Sequence, residues 1–299
     1  MRSLERSDHP VPTVNIILKN EKDEILLTRR NVGPFKGSWI LPGGHIDVQD
    51  DSAEGTAIRE VKEETGLTAV LTHLVGVKTN TIDPRSPFIF KVIYEARVDS
   101  GLLTKNVEVD DFRWLPLDKA RKEKLGFDHH EILKLYSTKK DYLLPIERSR
   151  YTEWYGKTFP YAQTEYPRVA CMGIILNEKK EILLGLKARK PFADHWNFPG
   201  GHMYVNETPE ECLARELREE LEVKGDVGEL FGVYSDKGQH PKHADIGVYY
   251  FAKLHSQRFV KNIEMKDFAY FSLDHLPEKI AYQNRMVLND LKKKIENSK

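Results

Sequence analysis

The chain has 299 residues, a length that predicts two domains of about 150 residues each. Its 46 basic and 46 acidic residues leave no formal net charge, so no global field attracts nucleic acid or an anionic membrane. The longest apolar runs are strand-sized, and the start MRSLERSDHPVP lacks the apolar core of a signal peptide. Cys171 and Cys212 indicate reduced, buried thiols in a cytoplasmic protein, with a disulfide between them as the open alternative.

The predicted elements begin with two apolar strands, 14–18 and 25–29, joined by a polar turn. A loop that contains Trp39 then leads to a Pro-Gly-Gly turn, and a helix is predicted to start at Ser52. A strand at 88–98 and a closing helix at 129–136 follow. This alternation predicts an α/β (α+β) fold in which a mixed β-sheet is sandwiched between helices.

The segment 144–164 is rich in aromatic residues, so it is a poor candidate for a flexible linker. One interpretation is a strap whose rings pack against one or both domains, and the other is that one ring stacks on a substrate base. We therefore predict a first domain at 1–143, a connecting segment at 144–164 and a second domain at 165–299.

The second half repeats the first, with strands at 169–176, 182–186 and 246–254 and a closing helix at 284–296. Its middle helix has a strong start signal, Thr208-Pro209-Glu210-Glu211. The repeat is clearest in four charged residues that recur 156 positions later, from Arg59 to Arg215: Arg59, Glu60, Glu63 and Glu64 correspond to Arg215, Glu216, Glu219 and Glu220.

Like charges crowd one face of this helix, although carboxylates three or four positions apart repel each other. Glu216, Glu219 and Glu220 gather there, while a leucine stripe lies on a separate, buried face. A single arginine cannot neutralise three carboxylates, whereas a divalent cation could. The alternative is an ordinary solvated face, and the second copy of the pattern weighs against it.

The second copy resembles the Nudix box of the MutT-type hydrolases: Gly201, five residues, Glu207, seven residues, then Arg215-Glu216-Leu217-Arg218-Glu219-Glu220. It departs from that pattern where Glu222 replaces the final glycine. The first copy keeps the arginine and the acids but has one extra loop residue, with Asp51 in place of the first glutamate.

The resemblance implies two tandem Nudix folds that hydrolyse a nucleoside diphosphate linked to another group, with Mg²⁺ or Mn²⁺ as the cofactor. The implied metal ligands are Gly43, Glu60, Glu63, Glu64, Gly200, Glu216, Glu219 and Glu220. The implied catalytic set is Arg59, Glu60, Glu63, Arg215, Glu216 and Glu219, with Asp51 or Glu207 bracing the arginine. Candidates for a general base outside the helix are Asp83, Glu108, Asp236, Asp245 and Glu264.

Weaker similarity to ADP-ribose pyrophosphatases, carried by segments such as 34–39, 127–133 and 231–236, favours ADP-ribose or a related nucleotide sugar. A damaged nucleoside triphosphate of the 8-oxo-dGTP type, a capped RNA end and a ligand-sensing regulator without hydrolytic activity stay open. We expect a small nucleotide as the partner, no DNA and no membrane. An intrachain pseudo-dimer or a homodimer is a further expectation, as is one working site beside a degenerate one.

Overall fold

The computed structural model of the chain describes residues 9–50, 52–80, 88–141, 143–146, 166–235 and 245–297. The chain divides into two compact units. We call Pro10–Lys157 the amino-terminal unit, and Thr158–Lys299 with Met1–His9 the carboxy-terminal unit. The boundaries at 143 and 165 stay predictions, and most of the aromatic segment 144–164 lies outside the described residues.

The amino-terminal unit has one seven-stranded sheet in the order β3-β2-β1-β5-β4-β7, with β6 paired to β2. β1 runs parallel to β5, and the other pairings are antiparallel, so the sheet is mixed as predicted. The strands are β1 Val11–Lys19, β2 Ile25–Arg30, β3 Trp39–Ile40, β4 Leu67–Asn80, β5 Ile89–Gly101, β6 Val109–Leu115 and β7 Leu144–Pro145. The helices are α1 Ala53–Thr65, α2 Leu117–Ala120 and α3 His129–Lys139.

The carboxy-terminal unit has a four-stranded sheet, β11-β8-β13-β12, and a three-stranded sheet, β10-β9-β14. The parallel pair is again central, with β8 beside β13. The strands are β8 Arg168–Ile174, β9 Ile182–Lys187, β10 Trp196–Asn197, β11 Gly200–His202, β12 Gly225–Ser235, β13 Asp245–Leu254 and β14 Met265–Phe271. The helices are α4 Pro209–Leu221 and α5 Asn284–Glu296.

The alternation of side chains along β8 explains why helices cover both faces of the sheet. Met172 and Ile174 point to one face and pack in a core with Val287 and Leu288 of α5. Gly173, between them, faces the leucines of α4 on the other side. The predicted sandwich is therefore confirmed.

Both acidic helices begin where their capping residues predict. The Ser52 hydroxyl accepts a hydrogen bond from the Gly55 N–H at 3.0 Å. Thr208 and Glu211 form a reciprocal capping box, with Pro209 in the first helical position. Trp39 is buried in the core, and Cys171 and Cys212 are buried, free thiols. In the described ranges, every helix is too short or too polar to span a membrane.

Candidate active site

The acids of α4 lie on a face of the helix beside its leucine stripe. Leu213, Leu217 and Leu221 of that stripe are fully buried. Glu219 remains mostly exposed, while Glu216 and Glu220 are buried although they are charged residues. A buried carboxylate is unfavourable unless it is paired, so two buried acids on one helix indicate a binding or catalytic site and not an ordinary solvated face.

Arg215 is the centre of the charge network. Its guanidinium donates to both Glu207 oxygens, at 3.1 and 2.8 Å, to Glu216 at 2.6 Å and to Glu219 at 3.1 Å. It also donates to the His202 carbonyl at 2.9 Å. A bidentate guanidinium–carboxylate pair fixes direction as well as distance, so Glu207 braces Arg215 and Arg215 holds two acids of the helix in place.

The carboxylate of Glu220 contacts Gly200, the first residue of β11. Its Oε2 accepts a hydrogen bond from the Gly200 N–H at 2.8 Å. Burial and the charge of Glu216 raise the pKa of Glu220 to about 8, against the effect of that hydrogen bond. Burial also raises the pKa of Glu216, although Arg215 opposes the shift.

The amino-terminal unit repeats this network. Arg59 donates to Asp50 at 3.0 and 2.9 Å, to Glu60 at 2.8 Å and to Glu63 at 3.1 Å. Glu64 accepts from the Gly43 N–H at 3.1 Å. Burial, with the charge of Glu60, raises the pKa of Glu64 to about 8.

The brace in the amino-terminal unit is Asp50, whereas the sequence alignment places Asp51 in that role. Asp51 itself lies outside the described residues. Asp50 accepts from the Asp47 N–H just as Glu207 accepts from the Tyr204 N–H, so the two acids occupy equivalent turns. The extra residue of the first copy therefore follows the brace, which keeps its contact with the arginine.

A cavity of about 270 Å³ opens beside the acids of the carboxy-terminal unit. Glu216, Glu219 and Glu220 line one side of it. Polar and aromatic residues that sequence reasoning missed line the rest, among them Asn197, Tyr204, Tyr249, Tyr282, Gln283 and Asn284. The Arg215 guanidinium lies over the Tyr204 ring, 4.5 Å from its centroid. Comparison of the two copies could have identified several of these residues, because they differ between the copies; Asn197, for example, corresponds to Ile40.

The candidate bases are in different situations. Asp245 and Glu264 line the cavity, and Asp245 contacts His202 Nε2 at 3.2 Å. In the amino-terminal unit the charge of Glu108 contributes to the raised pKa of Glu64, which places Glu108 near the acids. Asp83 and Asp236 lie outside the described residues.

The chemistry of the donors fits a hard divalent cation. Carboxylate oxygens are its preferred ligands, and a cation would relieve the repulsion by Glu216, which adds to burial in raising the pKa of Glu220. Gly201 leaves room for the Glu216 carboxylate, because a Cβ at Gly201 would lie 2.6 Å from it. Within the described ranges, no three His, Cys, Asp or Glu side chains already converge on one point. Arg215 and the Gly200 N–H hold the acids apart, so binding a cation requires carboxylates to reorient.

Comparison with known proteins gives a consistent result for both units. A profile of the NUDIX domain matches residues 9–136 and again residues 166–291. The ADP-ribose pyrophosphatase of Methanocaldococcus jannaschii is 33% identical over 129 residues, 43% of this chain and 73% of that protein. The ADPR responsive transcriptional repressor NtrR of Acinetobacter baylyi is 31% identical over 137 residues, 43% of this chain and 54% of that protein.

Among solved structures, the NUDIX domain of Shewanella oneidensis NrtR complexed with ADP ribose is 27% identical to this chain. The match covers 46% of this chain and 94% of that one, with a TM-score of 0.41. The chain thus spans about half the length of the curated repressor and nearly three quarters of the curated pyrophosphatase.

Proposed function

The chain belongs to the Nudix family as a hydrolase with two Nudix domains, and we propose that it hydrolyses the diphosphate linkage of nucleoside diphosphate derivatives. ADP-ribose or a related nucleotide sugar is the favoured substrate. The observation that carries the proposal is the duplicated network, in which Arg59 and Arg215 each hold two helix acids and are braced by a third. Similarity to a curated ADP-ribose pyrophosphatase supports the choice of substrate.

Each residue of the network has a distinct task. Glu207 and Asp50 orient the arginines, and the arginines hold Glu216, Glu219, Glu60 and Glu63. Nudix hydrolases generally use divalent metal ions, and we propose Mg²⁺ or Mn²⁺ here. The metal would be held by Glu216, Glu219, Glu220 and the Gly200 carbonyl, and by Glu60, Glu63, Glu64 and the Gly43 carbonyl. When bound, it would neutralise diphosphate oxygens and lower the pKa of the attacking water.

Two alternatives have specific support. The amides of Gln283 and Asn284 line the cavity and would pair with the edge of a nucleobase, as selection among nucleoside triphosphates at the carboxy-terminal site requires. Similarity to an ADPR responsive repressor supports a ligand-sensing role without hydrolysis. Retention of every acid and both arginines favours hydrolysis over sensing.

We also propose a cytoplasmic location, which the two buried free thiols support.

The test is to run the reaction with ADP-ribose in oxygen-18 water. In attack at phosphorus, the water oxygen forms a bond to one phosphorus atom of the diphosphate. The bond between that phosphorus and the bridging oxygen breaks, which gives AMP and ribose 5-phosphate. The label should therefore appear in a phosphate group of one product, because charge stabilisation acts on phosphoryl oxygens. Label on the ribose 5-hydroxyl with ADP released intact would show cleavage at carbon and would contradict the mechanism. The double variant Glu60→Gln/Glu216→Gln is the control and should release neither product.

A further inference from the structure

The two sites share their acids but differ in the residues around the space beside those acids. Backbone hydrogen bonds establish which residues correspond: the Gly126 N–H donates to the Trp39 carbonyl, and the Ala281 N–H donates to the Trp196 carbonyl, both at 2.9 Å. Phe127 and Tyr282, which follow, share a left-handed backbone conformation. Five correspondences result: Ile40 with Asn197, Lys91 with Gly247, Ile93 with Tyr249, Asp128 with Gln283 and His129 with Asn284.

In the carboxy-terminal unit these residues form a neutral hydrogen-bonded chain. The Tyr249 hydroxyl donates to Asn284 Oδ1 at 2.7 Å, and the Asn284 amide donates to Asn197 Oδ1 at 2.6 Å. Since one partner fixes the oxygen of Asn284 and the other fixes its nitrogen, the amide cannot flip. All three residues line the cavity.

Gln283 adds an unused acceptor beside this chain. The residue is 5% exposed and lines the cavity, and its Oε1 has no hydrogen-bond partner within the part of the protein that the structure describes. A buried amide oxygen without a partner is unfavourable by about 1–3 kcal/mol. An N–H of a bound ligand would satisfy it.

The amino-terminal unit replaces this chain with aliphatic residues and a buried ion pair. Ile40 and Ile93 have no polar side-chain atoms and cannot orient His129 as Asn197 and Tyr249 orient Asn284. His129 Nδ1 instead accepts from the Leu41 N–H at 2.8 Å, and its Nε2 contacts the Asn15 amide at 3.2 Å. Lys91 donates to Asp128, and both side chains are almost fully buried.

The carboxy-terminal arrangement excludes a side chain at Gly247, the position of Lys91 in the other unit. A Cβ at Gly247 would lie 2.7 Å from Gln283 Nε2 and 2.7 Å from the Tyr249 ring, so a side chain such as that of Lys91 does not fit there. Lys91 and Asp128 correspond to Gly247 and Gln283, so both charges of the pair are absent together from the carboxy-terminal unit. Replacing one member alone would leave a buried, unpaired charge.

From this contrast we infer that the two sites act on different nucleotides: the carboxy-terminal site selects its substrate by the base, and the amino-terminal site does not. Asn284 and Gln283 would meet the hydrogen-bonding edge of a nucleobase, and Tyr249 and Asn197 are positioning residues that hold Asn284. A site built to pair with a polar edge discriminates strongly, because the wrong edge leaves buried groups unpaired. This inference rests on the proposed function.

The first test measures base preference at each site of the full chain. Glu60→Gln leaves the carboxy-terminal site active, and Glu216→Gln leaves the amino-terminal site active. The probes are two series that differ only in the base: ATP, GTP, CTP and UTP, and the corresponding nucleoside diphosphate glucoses. We expect kcat/KM in the Glu60→Gln protein to vary about tenfold or more with the base. In the Glu216→Gln protein it should stay nearly constant.

Equal base preference at the two sites, or hydrolysis by one site only, overturns the inference but leaves the proposed function intact. A different result, in which neither substitution lowers metal-dependent hydrolysis, contradicts the proposed function itself. The two failures are therefore distinguishable in one experiment.

The second test addresses the positioning role through Tyr249→Phe in the Glu60→Gln protein. Loss of the hydroxyl frees the Asn284 amide, so base discrimination should fall about two- to tenfold, with the change in KM and not in kcat. Tyr250→Phe is the matched control, because its hydroxyl bonds to Glu210, away from the cavity, and the amino-terminal unit has a tyrosine at the same position. Unchanged base discrimination in a folded Tyr249→Phe protein overturns the positioning role of Tyr249. If that variant does not fold, the first test still decides whether the two sites differ in base preference.

Discussion

Two adjacent glycines before α4 have different physical roles. Gly200 has φ +139°, and a Cβ there would lie 2.1 Å from the Cys171 carbonyl oxygen. Gly201 has no positive φ, and the three atoms nearest to its Cβ would all belong to the Glu216 carboxylate, the far end of a flexible side chain. The first glycine is therefore required by the backbone, and the second by the position of an acid.

We predict opposite outcomes for alanine at these two positions. Gly201→Ala should displace the Glu216 carboxylate from Arg215 and lower turnover at the carboxy-terminal site tenfold or more, on the scale of about 10²–10⁴ for a lost acid–base group. Its thermal midpoint should change little. Gly200→Ala should destabilise the unit by about 2 kcal/mol or more, because the strain is in the backbone. Thermal unfolding and steady-state rates of both variants, measured in the Glu60→Gln protein, check this, and equal loss of stability would contradict it.

His129 makes the stability of the amino-terminal unit dependent on pH. Its Nδ1 accepts a backbone hydrogen bond, and the ring is 3% exposed. Burial, with the nearby Lys91 ammonium, lowers the pKa of His129 to about 3. Between that value and the ordinary pKa of about 6.5, the unfolded chain binds a proton that the folded chain does not.

The stability from His129 is therefore complete above pH 6.5 and is lost as the pH falls towards 3. At pH 5 we expect a loss of about 2 kcal/mol relative to pH 8. Hydrogen exchange of α3 amides, corrected for the intrinsic effect of pH, measures it. His129→Asn should remove this part of the pH dependence, whereas His130→Asn, at an exposed neighbour, should retain it. The same pH dependence in all three proteins would show that His129 is not the source.

At the scale of elements, the acidic helices end differently in the two units. The residue after each helix adopts a left-handed conformation, Gly66 with φ 78° in the amino-terminal unit and Glu222 with φ 56° in the other. A residue with a Cβ is disfavoured in that conformation. The departure of Glu222 from the Nudix box therefore lies at a helix end and removes no acid of the site.

Glu222→Gly should stabilise the carboxy-terminal unit by up to about 1 kcal/mol, because glycine relieves the strain and loses some of that gain through the greater freedom of the unfolded chain. Activity should not change. The reverse test is Gly66→Ala, whose Cβ would lie 2.6 Å from the Leu102 carbonyl oxygen and should be destabilising. Chemical denaturation of each variant gives the comparison, and a destabilised Glu222→Gly protein would contradict the prediction.

At the scale of the whole molecule, the same repulsive cluster occurs once in each unit. Burial raises the pKa of both Glu64 and Glu220. A cation that binds only the folded cluster stabilises the fold by mass action. Each unit should therefore be stabilised separately.

We predict that Mg²⁺ or Mn²⁺ raises the thermal midpoint and that excess chelator abolishes activity. At a metal concentration one hundred times Kd, the free energy of unfolding increases by about 2.7 kcal/mol for one site. The double variant Glu60→Gln/Glu216→Gln should lose this response. Glu21→Gln/Glu178→Gln, which removes two exposed charges from equivalent turns, should keep it. Full turnover in chelator would exclude the proposed role of the metal.

Sequence alone determined the duplicated fold, the helix starts and the acid–arginine pattern, because each depends on residues close together in the chain. For this reason the sequence predicted the first two strands of each unit and the helix starts at Ser52 and Thr208, and the structure confirms them. β4 and β12 were not predicted, since shifts of register along both strands interrupt the alternation that identifies a strand.

Only the tertiary structure decided which residues line the cavity beside the acids of the carboxy-terminal unit. Asn197, Tyr249 and Asn284 come from three separate elements. Asn197 is 87 positions from Asn284 in the sequence, and Tyr249 is 35 positions from it. No local periodicity marks such a group, because it exists only when β10, β13 and α5 come together in the folded unit. The contact of Asp50 with Arg59 was also not predicted, and it forms where the turn at Asp47 holds the Asp50 carboxylate.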